Sequence, residues 1–441
     1  MATTPYIAAM IKAIPEIPHN SIFGHLKAYV QDPLAFLQKQ QKIHGDIFSF
    51  RVARRRLIFI NHPDSIRRVL QENHRNYKKS EAYRKLALLL GDGLFTSDGS
   101  YWLSQRRTIQ PAFHRNQIMS YAETMNDFAL KMVADWQDRK SICLTEEMTR
   151  VTLRIISKSI LNIELDSKMN AVQQHLPFAL RFMINRITSP LATPLWIPTR
   201  DNIKFKRSLK TLDSLIHSII QHKKQNLGID LLSQLITLRD EKTGEAMSDL
   251  QLRDELMTLF LAGHETTAMG ITWVLNHILR NEPLKTALIR EIRDIKHPWE
   301  ATGNYFIQNV ISEALRLYAP VWILSREAID HDLLGEYRIA PGDRIIFSPY
   351  MVHRHAGFWA DPLVFDPARF DSAPAHKFAY FPFGGGPRVC IGEHFALMEM
   401  TILLTTILKH YPYMALQSLE PVAYDYSITL RPDRDIVVSL T

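Results

Sequence analysis

Apolar residues recur with a helical period over most of residues 102–315. Two other stretches have a different pattern. Residues 46–61, DIFSFRVARRRLIFIN, predict two short strands around a basic turn, and Pro63 then begins a helix. Residues 326–350 predict further short strands with a turn at Pro341. The pattern therefore predicts a mainly α protein with a minor β region.

One predicted helix is unusually long. Ser248 and Gln251 form an S-x-x-Q capping box, and apolar positions continue over residues 252–278 until Pro283 ends the pattern. Roughly 30 residues of helix extend about 45 Å, so we expect this helix to cross the centre of a compact domain. Inside it, residues 262–267 read AGHETT, which places a glycine, a carboxylate and two hydroxyls where good helix formers are expected.

Composition narrows the class of protein. The chain has 441 residues, of which 46% are hydrophobic and 22% are charged, and this balance excludes a disordered or collagen-like chain. Neither an internal repeat nor a Gly/Ser-rich linker interrupts it. We therefore predict a single domain over residues 1–441.

Charge and cysteine content limit the partners and the compartment. The net charge of +8 is scattered and no nucleic-acid module is recognisable, so we expect no nucleic-acid partner. Two cysteines cannot build a disulfide framework. No apolar stretch approaches the ~20 residues of a spanning helix, and Lys12, Pro15 and Glu16 interrupt the N-terminal segment. These features predict a cytoplasmic protein without a transmembrane anchor.

The most informative segment is FPFGGGPRVCIGEHFALMEM. Three consecutive glycines, 384–386, would let the backbone approach something bulky and flat, and Cys390 comes just before a helix predicted to run to about Lys409. Unsatisfied amides at a helix N-terminus stabilise a thiolate, which can ligate a metal. A lone cysteine is otherwise most often a small buried hydrophobe.

The residues around this cysteine form a specific motif, F-x-x-G-x-R-x-C-x-G, met at Phe383, Gly386, Arg388, Cys390 and Gly392. It resembles the haem-thiolate signature of the cytochrome P450 family. Other segments are similar to family motifs in the expected order: W-x-x-x-R at 102–106, AGHETT, E-x-x-R at 313–316, and FDPARF at 365–370. The resemblance covers essentially the whole chain and implies the cytochrome P450 fold, with the long central helix crossing the core over a buried haem.

The resemblance also implies roles for individual residues. Haem b (iron protoporphyrin IX) would be ligated by the Cys390 thiolate, and Glu265 with Thr266, at a local distortion of the central helix above the iron, would deliver protons during dioxygen activation. Thr267 is expected to bond back to the carbonyl four residues earlier. The remaining implied cofactor-binding residues, including the arginines for the propionates, are Trp102, Arg106, Ala262, Gly263, Arg326, Phe383, Arg388 and Gly392.

A buried structural triad is implied as well. Glu313 and Arg316 share a helix face, and in the family such a pair is joined by the arginine that corresponds to Arg369. One departure from the family pattern is Ala368, where a glutamate is usual.

The implied activity is that of a soluble, bacterial-type monooxygenase that inserts one oxygen atom of O2 into a hydrophobic substrate, such as a fatty acid or terpenoid. No Rossmann fingerprint or fused redox segment is present, so electrons must come from a separate donor such as a ferredoxin or flavodoxin with its reductase. Candidate pocket residues, all apolar, are Leu94, Phe95, Leu259, Phe260, Val321, Trp322, Ile323 and Ile428.

Two alternatives stay open at this point. One is a P450-like enzyme that uses or rearranges a peroxide, although such family members typically lack the acid and alcohol found at Glu265 and Thr266. The other is a haem sensor or carrier without turnover.

Overall fold

The computed structural model describes residues 11–163, 169–189, 192–228, 230–239 and 244–440. Residues 1–10, which belong to the segment predicted to lack an anchor, lie outside the described residues. Helices predominate, as the hydrophobic pattern predicts. The α-helices of the described residues are Leu26–Gln31, Pro33–His44, Pro63–Arg67, Glu81–Leu90, Gly99–Ile109, Arg115–Ala134, Leu144–Leu161, Met169–Thr188, Arg200–Gln225, Leu231–Thr237, Asp249–Ile278, Glu282–Ile292, Tyr305–Leu317, Pro349–Val352 and Glu393–His410.

Strands are short and occur in the two predicted regions and near the C-terminus. They are Ile47–Val52, Arg55–Ile60, Tyr77–Lys79, Ser141–Cys143, Leu324–Ala328, Asp332–Leu334, Tyr337–Ile339, Arg344–Phe347, Ala415–Leu416, Tyr424–Tyr426, Leu430–Pro432 and Val437–Ser439. A π-helical turn spans Arg68–Glu72, and 3₁₀ turns span His74–Asn76, Gln110–Phe113, Pro298–Gly303, Pro367–Asp371, Lys377–Ala379 and Gly386–Arg388.

The chain divides into two compact units. The first unit contains the described residues of Met1–Arg84, Val321–Val364 and Ser372–Cys390. The second contains those of Lys85–Pro320, Phe365–Asp371 and Ile391–Thr441. The predicted single-domain organisation stays a prediction.

The first unit is built on a five-stranded sheet, in the order Ile47–Val52, Arg55–Ile60, Arg344–Phe347, Leu324–Ala328, Tyr77–Lys79. Its second and third strands are parallel and its other neighbours are antiparallel. The first two strands form a hairpin in which Val52 pairs with Arg55 and Ala53 has a positive φ of 53°. Both predicted strand regions are therefore confirmed.

The second unit is organised around the helix Asp249–Ile278, hereafter the central helix. Its Ser248–Gln251 capping box is present, as predicted, and it packs against the helices Leu144–Leu161 and Glu393–His410. Of its 30 residues, 22 are buried, as expected for a helix that crosses the core. Within the described part of the chain, no helix combines the length and apolar character that a bilayer crossing requires.

Candidate active site

The glycine-rich segment folds as a tight loop in the first unit, Phe383–Cys390, hereafter the cysteine loop. Its ends are tied together because the Cys390 amide donates to the Phe383 carbonyl at 2.9 Å. Gly386 has a φ of +66°, and a Cβ there would lie 1.8 Å from the Leu70 carbonyl oxygen. Only glycine fits this position, since both the left-handed backbone and the close approach exclude a side chain.

The two cysteines have different surroundings. Cys390 is exposed at the end of the cysteine loop, and Gly392, two residues on, is the N-cap residue of the helix Glu393–His410. Cys143 is half-buried at the end of a strand, and burial raises the pKa of its thiol. Cys390 is therefore the cysteine whose position suits a metal ligand, whereas Cys143 fits the structural role of a small side chain.

The buried surface of the central helix is interrupted at one place, where three residues are partly or fully exposed. From Asp254 to Asn276 every residue is buried except Ala262, Gly263 and Thr266, of which Ala262 is exposed and the other two are half-buried. Positions 262, 263 and 266 lie close together on a helix surface because residues three and four apart are neighbours. We call these three residues the window of the central helix.

Gly263 also has a packing role that the sequence did not indicate. A Cβ at this position would lie 2.6 Å from the side chain of Ile156, on the helix Leu144–Leu161. The missing side chain thus allows two helices of the second unit to approach closely. The implied cofactor-binding role of Gly263 stays a prediction beside this packing role.

Thr266 and Thr267 both turn their hydroxyls back along the helix. Thr267 Oγ1 donates to the Gly263 carbonyl at 3.4 Å, which is the predicted bond. Thr266 Oγ1 makes the shorter bond, 2.7 Å to the Ala262 carbonyl. The expected local distortion is not seen: the helix is continuous from Asp249 to Ile278. The threonine bonds do not disrupt it, since a backbone carbonyl can accept a second hydrogen bond while keeping its helical one.

Glu265 is buried and faces a segment that the sequence analysis did not connect with it. Its Oε1 accepts a hydrogen bond from Thr429 Oγ1 at 2.9 Å and lies 3.2 Å from Arg431 Nη1. Its neighbour His264 is also buried, and its Nδ1 contacts the Phe260 carbonyl. Burial lowers the pKa of His264, although the charge of Glu265 acts in the opposite direction. A neutral imidazole there can donate Nδ1–H to the carbonyl.

The resemblance implies that four residues meet the haem propionates: Trp102, Arg106, Arg326 and Arg388. Trp102 is buried and Arg106 is half-buried on one helix of the second unit, with the guanidinium carbon 5.9 Å from the indole centroid. Arg326 and Arg388 belong to the first unit, where Arg326 is buried and donates from Nη1 to the Ser325 carbonyl at 2.8 Å. Arg388 is half-buried within the cysteine loop, as is Phe383.

The candidate pocket residues fall into two groups. Leu259, Phe260 and Trp322 are buried, whereas the half-buried members, which have surface left to meet a ligand, are Leu94, Phe95, Val321, Ile323 and Ile428. Two carboxylates of the central helix hold the segment that precedes Phe95. The Asp92 amide donates to Asp254 at 2.8 Å, and the Leu94 amide donates to Glu255 at 3.0 Å.

The structure brings Glu313, Arg316 and Arg369 together. Glu313 and Arg316 are fully buried, and Arg316 donates to both carboxylate oxygens, at 2.6 and 2.8 Å. Arg369 Nε lies 3.3 Å from Glu313 Oε1, and the Asp366 amide donates to the same oxygen at 2.8 Å. Ala368, the departure from the family pattern, donates its amide to the Asp366 side chain at 3.1 Å.

These features define a class of protein: mainly helical, with a buried acid and a partly exposed hydroxyl on a core-crossing helix, and a glycine-rich loop that ends in an exposed cysteine. The sequence matches the family "Cytochrome P450" over residues 15–437, and the chain belongs to that family.

The curated relatives agree with this assignment. Cyclooctatin synthase of Streptomyces melanosporofaciens is 34% identical over 397 residues, which cover 87% of this chain and 86% of that protein. Cyclooctat-9-en-7-ol 5-monooxygenase of the same organism is 28% identical, with 92% of both chains covered. Protein LUTEIN DEFICIENT 5 of Arabidopsis thaliana is 29% identical over 90% of this chain and 72% of that protein.

Family membership makes this chain an oxidoreductase of a haem-thiolate family, whose members activate dioxygen with electrons from a redox partner. The residues present fit such a cofactor. The cysteine loop offers an exposed thiol on a backbone without side chains at 384–386, and the window of the central helix leaves backbone and a hydroxyl accessible.

Proposed function

We propose that this protein is a monooxygenase that inserts one oxygen atom of O2 into a hydrophobic, terpenoid-like or fatty-acid-like substrate, with haem b held by the Cys390 thiolate. The observation that carries the proposal is the window. An otherwise buried helix leaves Ala262, Gly263 and Thr266 accessible beside a buried acid, Glu265. An acid next to an accessible hydroxyl suits proton delivery, which dioxygen activation needs and peroxide use does not.

Each side chain has a distinct task in this proposal. When bound, haem supplies the centre at which dioxygen is activated, and the anionic sulfur of Cys390 donates electron density to it. Arg106, Arg326 and Arg388, with the Trp102 indole N–H, would pair with the propionates, for which the planar guanidinium is well suited. The Thr266 hydroxyl, bonded to the Ala262 carbonyl, keeps its oxygen lone pairs available in the window to accept and pass on a proton.

The substrate class rests on apolar side chains and on relatives. The half-buried candidates Leu94, Phe95, Val321, Ile323 and Ile428 offer hydrocarbon surface without charge. One relative is named as a monooxygenase of cyclooctat-9-en-7-ol, a name that denotes an unsaturated alcohol. The electron donor is proposed to be an acidic ferredoxin or flavodoxin, since the chain carries a net charge of +8.

The first test concerns the thiolate. The purified protein is reduced, carbon monoxide is added and the difference spectrum is recorded for wild type, Cys390→Ser and Cys143→Ser. We expect the strongly red-shifted Soret band of thiolate-ligated haem in the wild type and in Cys143→Ser, and its loss in Cys390→Ser. A red-shifted band that survives Cys390→Ser would remove this residue from the site.

The second test concerns dioxygen. With a ferredoxin and its reductase, terpenoids and fatty acids that shift the haem spectrum are incubated under isotopically labelled O2. The proposal requires label in the product and electron-dependent turnover, and turnover with peroxide alone would favour the peroxygenase alternative instead. Thr266→Ala should divert electrons to hydrogen peroxide, whereas Thr267→Ala, whose side chain is buried on the same helix, should leave coupling nearly unchanged.

A further inference from the structure

We propose that Thr429 and Arg431 are positioning residues that fix the orientation and the negative charge of Glu265. The inference rests on the proposed function for its catalytic meaning, but the contact itself stands on the structure. Both side chains approach the same carboxylate oxygen, Oε1, at 2.9 Å from the Thr429 hydroxyl and 3.2 Å from Arg431 Nη1. Neither contact uses Oε2, the oxygen to which we assign proton exchange.

The segment that presents these two side chains is held in place by its backbone. Strands Tyr424–Tyr426 and Leu430–Pro432 form an antiparallel pair, hereafter the C-terminal hairpin. The Leu430 amide donates to the Pro320 carbonyl at 2.8 Å, and the Leu430 carbonyl accepts from Trp273 Nε1 on the central helix, also at 2.8 Å. Thr429 is the last residue of the turn and Arg431 lies in the strand that follows, and both contact the same side of Glu265. Both can therefore reach one carboxylate.

The charges explain why such a partner is needed. The Glu265 side chain is 5% exposed and that of Arg431 is 25% exposed. A buried carboxylate without a cation would take up a proton, because burial disfavours its charged form. In the described residues, the titratable groups that interact with Glu265 are Arg431 from the C-terminal hairpin and His264 from its own helix, and burial lowers the pKa of His264. Arg431 is thus the cation that faces the buried Glu265 carboxylate, and in the proposal it supplies the counter-charge for that carboxylate.

The same hairpin supplies a matched control. Asp425, the cross-strand neighbour of Arg431, pairs with Arg181 at 2.8 Å, and the two side chains are 36% and 69% exposed. Asp425→Asn therefore removes an ion pair from the hairpin without removing a partner of Glu265. Arg431→Lys keeps a cation, and Thr429→Val removes a single hydrogen bond at nearly constant volume.

One experiment measures the contact independently of catalysis. Thermal unfolding of the holoprotein is followed at pH 5 and pH 8 for wild type, Arg431→Gln, Glu265→Gln and the double variant. Without its cation, Glu265 should hold a proton that the unfolded chain releases, so the Arg431→Gln protein should lose stability relative to wild type as pH rises. Glu265→Gln in the same background should abolish that pH dependence, and parallel curves for Arg431→Gln and wild type would overturn the inference.

A second experiment connects the contact with the reaction. The pH profile of coupled product formation should move upward by about 1–3 units in Arg431→Gln, the shift typical of losing a nearby opposite charge. Arg431→Lys should restore most of the profile, Thr429→Val should shift it less, and Asp425→Asn should not shift it. If Asp425→Asn moved the pH profile as far as Arg431→Gln does, the shift would come from disturbing the hairpin as a whole, and the positioning role would be refuted. Absence of O2-dependent turnover in wild type would refute the proposed function alone, because the unfolding experiment still decides the contact.

Discussion

Removal of the Glu313 carboxylate tests how much one buried cluster of charged residues contributes to the free energy of unfolding. Glu313 and Arg316 have no exposed side-chain surface, and Arg316 bonds to both carboxylate oxygens. In Glu313→Gln the Arg316 guanidinium stays buried and positively charged but loses its counter-charge. Arg369, 11% exposed, and the Asp366 amide lose part of the same partner.

The expected cost follows from burial. Breaking a fully buried ion pair by removing one partner typically costs about 3–5 kcal/mol, which is a large fraction of the roughly 5–15 kcal/mol that stabilises a protein. The pair Glu420–Arg434 provides the contrast, because its 2.9 Å separation is similar but its side chains are 76% and 42% exposed. Glu420→Gln should cost at most about 1 kcal/mol, since solvent screens an exposed pair.

The assay is denaturant unfolding followed by circular dichroism, with both variants compared with wild type. A loss in Glu313→Gln no larger than that in Glu420→Gln would refute the reasoning. If Glu313→Gln does not accumulate as folded protein, Arg369→Gln tests the same cluster from its edge, because it removes the cation 3.3 Å from the Glu313 carboxylate and leaves the Arg316 bonds in place. It should cost less than Glu313→Gln but more than Glu420→Gln.

Three further perturbations have defined outcomes. Burial raises the pKa of Glu399 well above its usual range, so wild-type stability should fall as pH rises above that range, and Glu399→Gln should remove this pH dependence in thermal melts. Burial lowers the pKa of His277 to about 4, so stability should decrease by up to about 3 kcal/mol as pH falls from 6.5 toward 4, and His277→Phe should not show this loss in acid melts. Gly386→Ala should lower haem occupancy and melting temperature, because its Cβ would meet the Leu70 carbonyl. Gly384→Ala should cost about 1–2 kcal/mol from its positive φ alone, since nothing lies within 4 Å of its Cβ.

Local features of this chain could be predicted because their causes are local. The capping box Ser248–Gln251 and the apolar positions after it located the central helix to within one residue. The hairpin over residues 46–61 followed from apolar strands around a basic turn, and the helix Glu393–His410 followed from its period. The helix that begins at Pro63 was also predicted, but its widening to a π-helix at Arg68–Glu72 has no signal in the pattern.

Contacts between distant segments could not be predicted in the same way. Glu265 and Thr429 are 164 positions apart, and their bond depends on the hairpin backbone being held at Leu430. The prediction of Ile428 as an apolar pocket residue concerned the same segment but gave no indication of a polar contact with Glu265. The sequence around Arg431 carried no signal of this contact, because charged residues in such a segment are mostly exposed. Likewise, Gly263 gave no sign that Ile156 packs on it.

The contacts of the central helix explain how it can carry polar residues in its middle. His264, Glu265 and Thr266 interrupt a buried apolar helix, which is unfavourable unless each polar group has a partner. His264 is satisfied by the Phe260 carbonyl, and its own carbonyl accepts from Thr152 Oγ1 at 3.1 Å. Glu265 is held from the C-terminal hairpin, so Thr266 alone of the three is left at the window. The His264 side chain is therefore satisfied within its own helix and Glu265 from the C-terminal hairpin, while the Thr266 hydroxyl, which bonds to the Ala262 carbonyl, stays partly exposed. The proposed relay from a held acid to an accessible hydroxyl would need this arrangement.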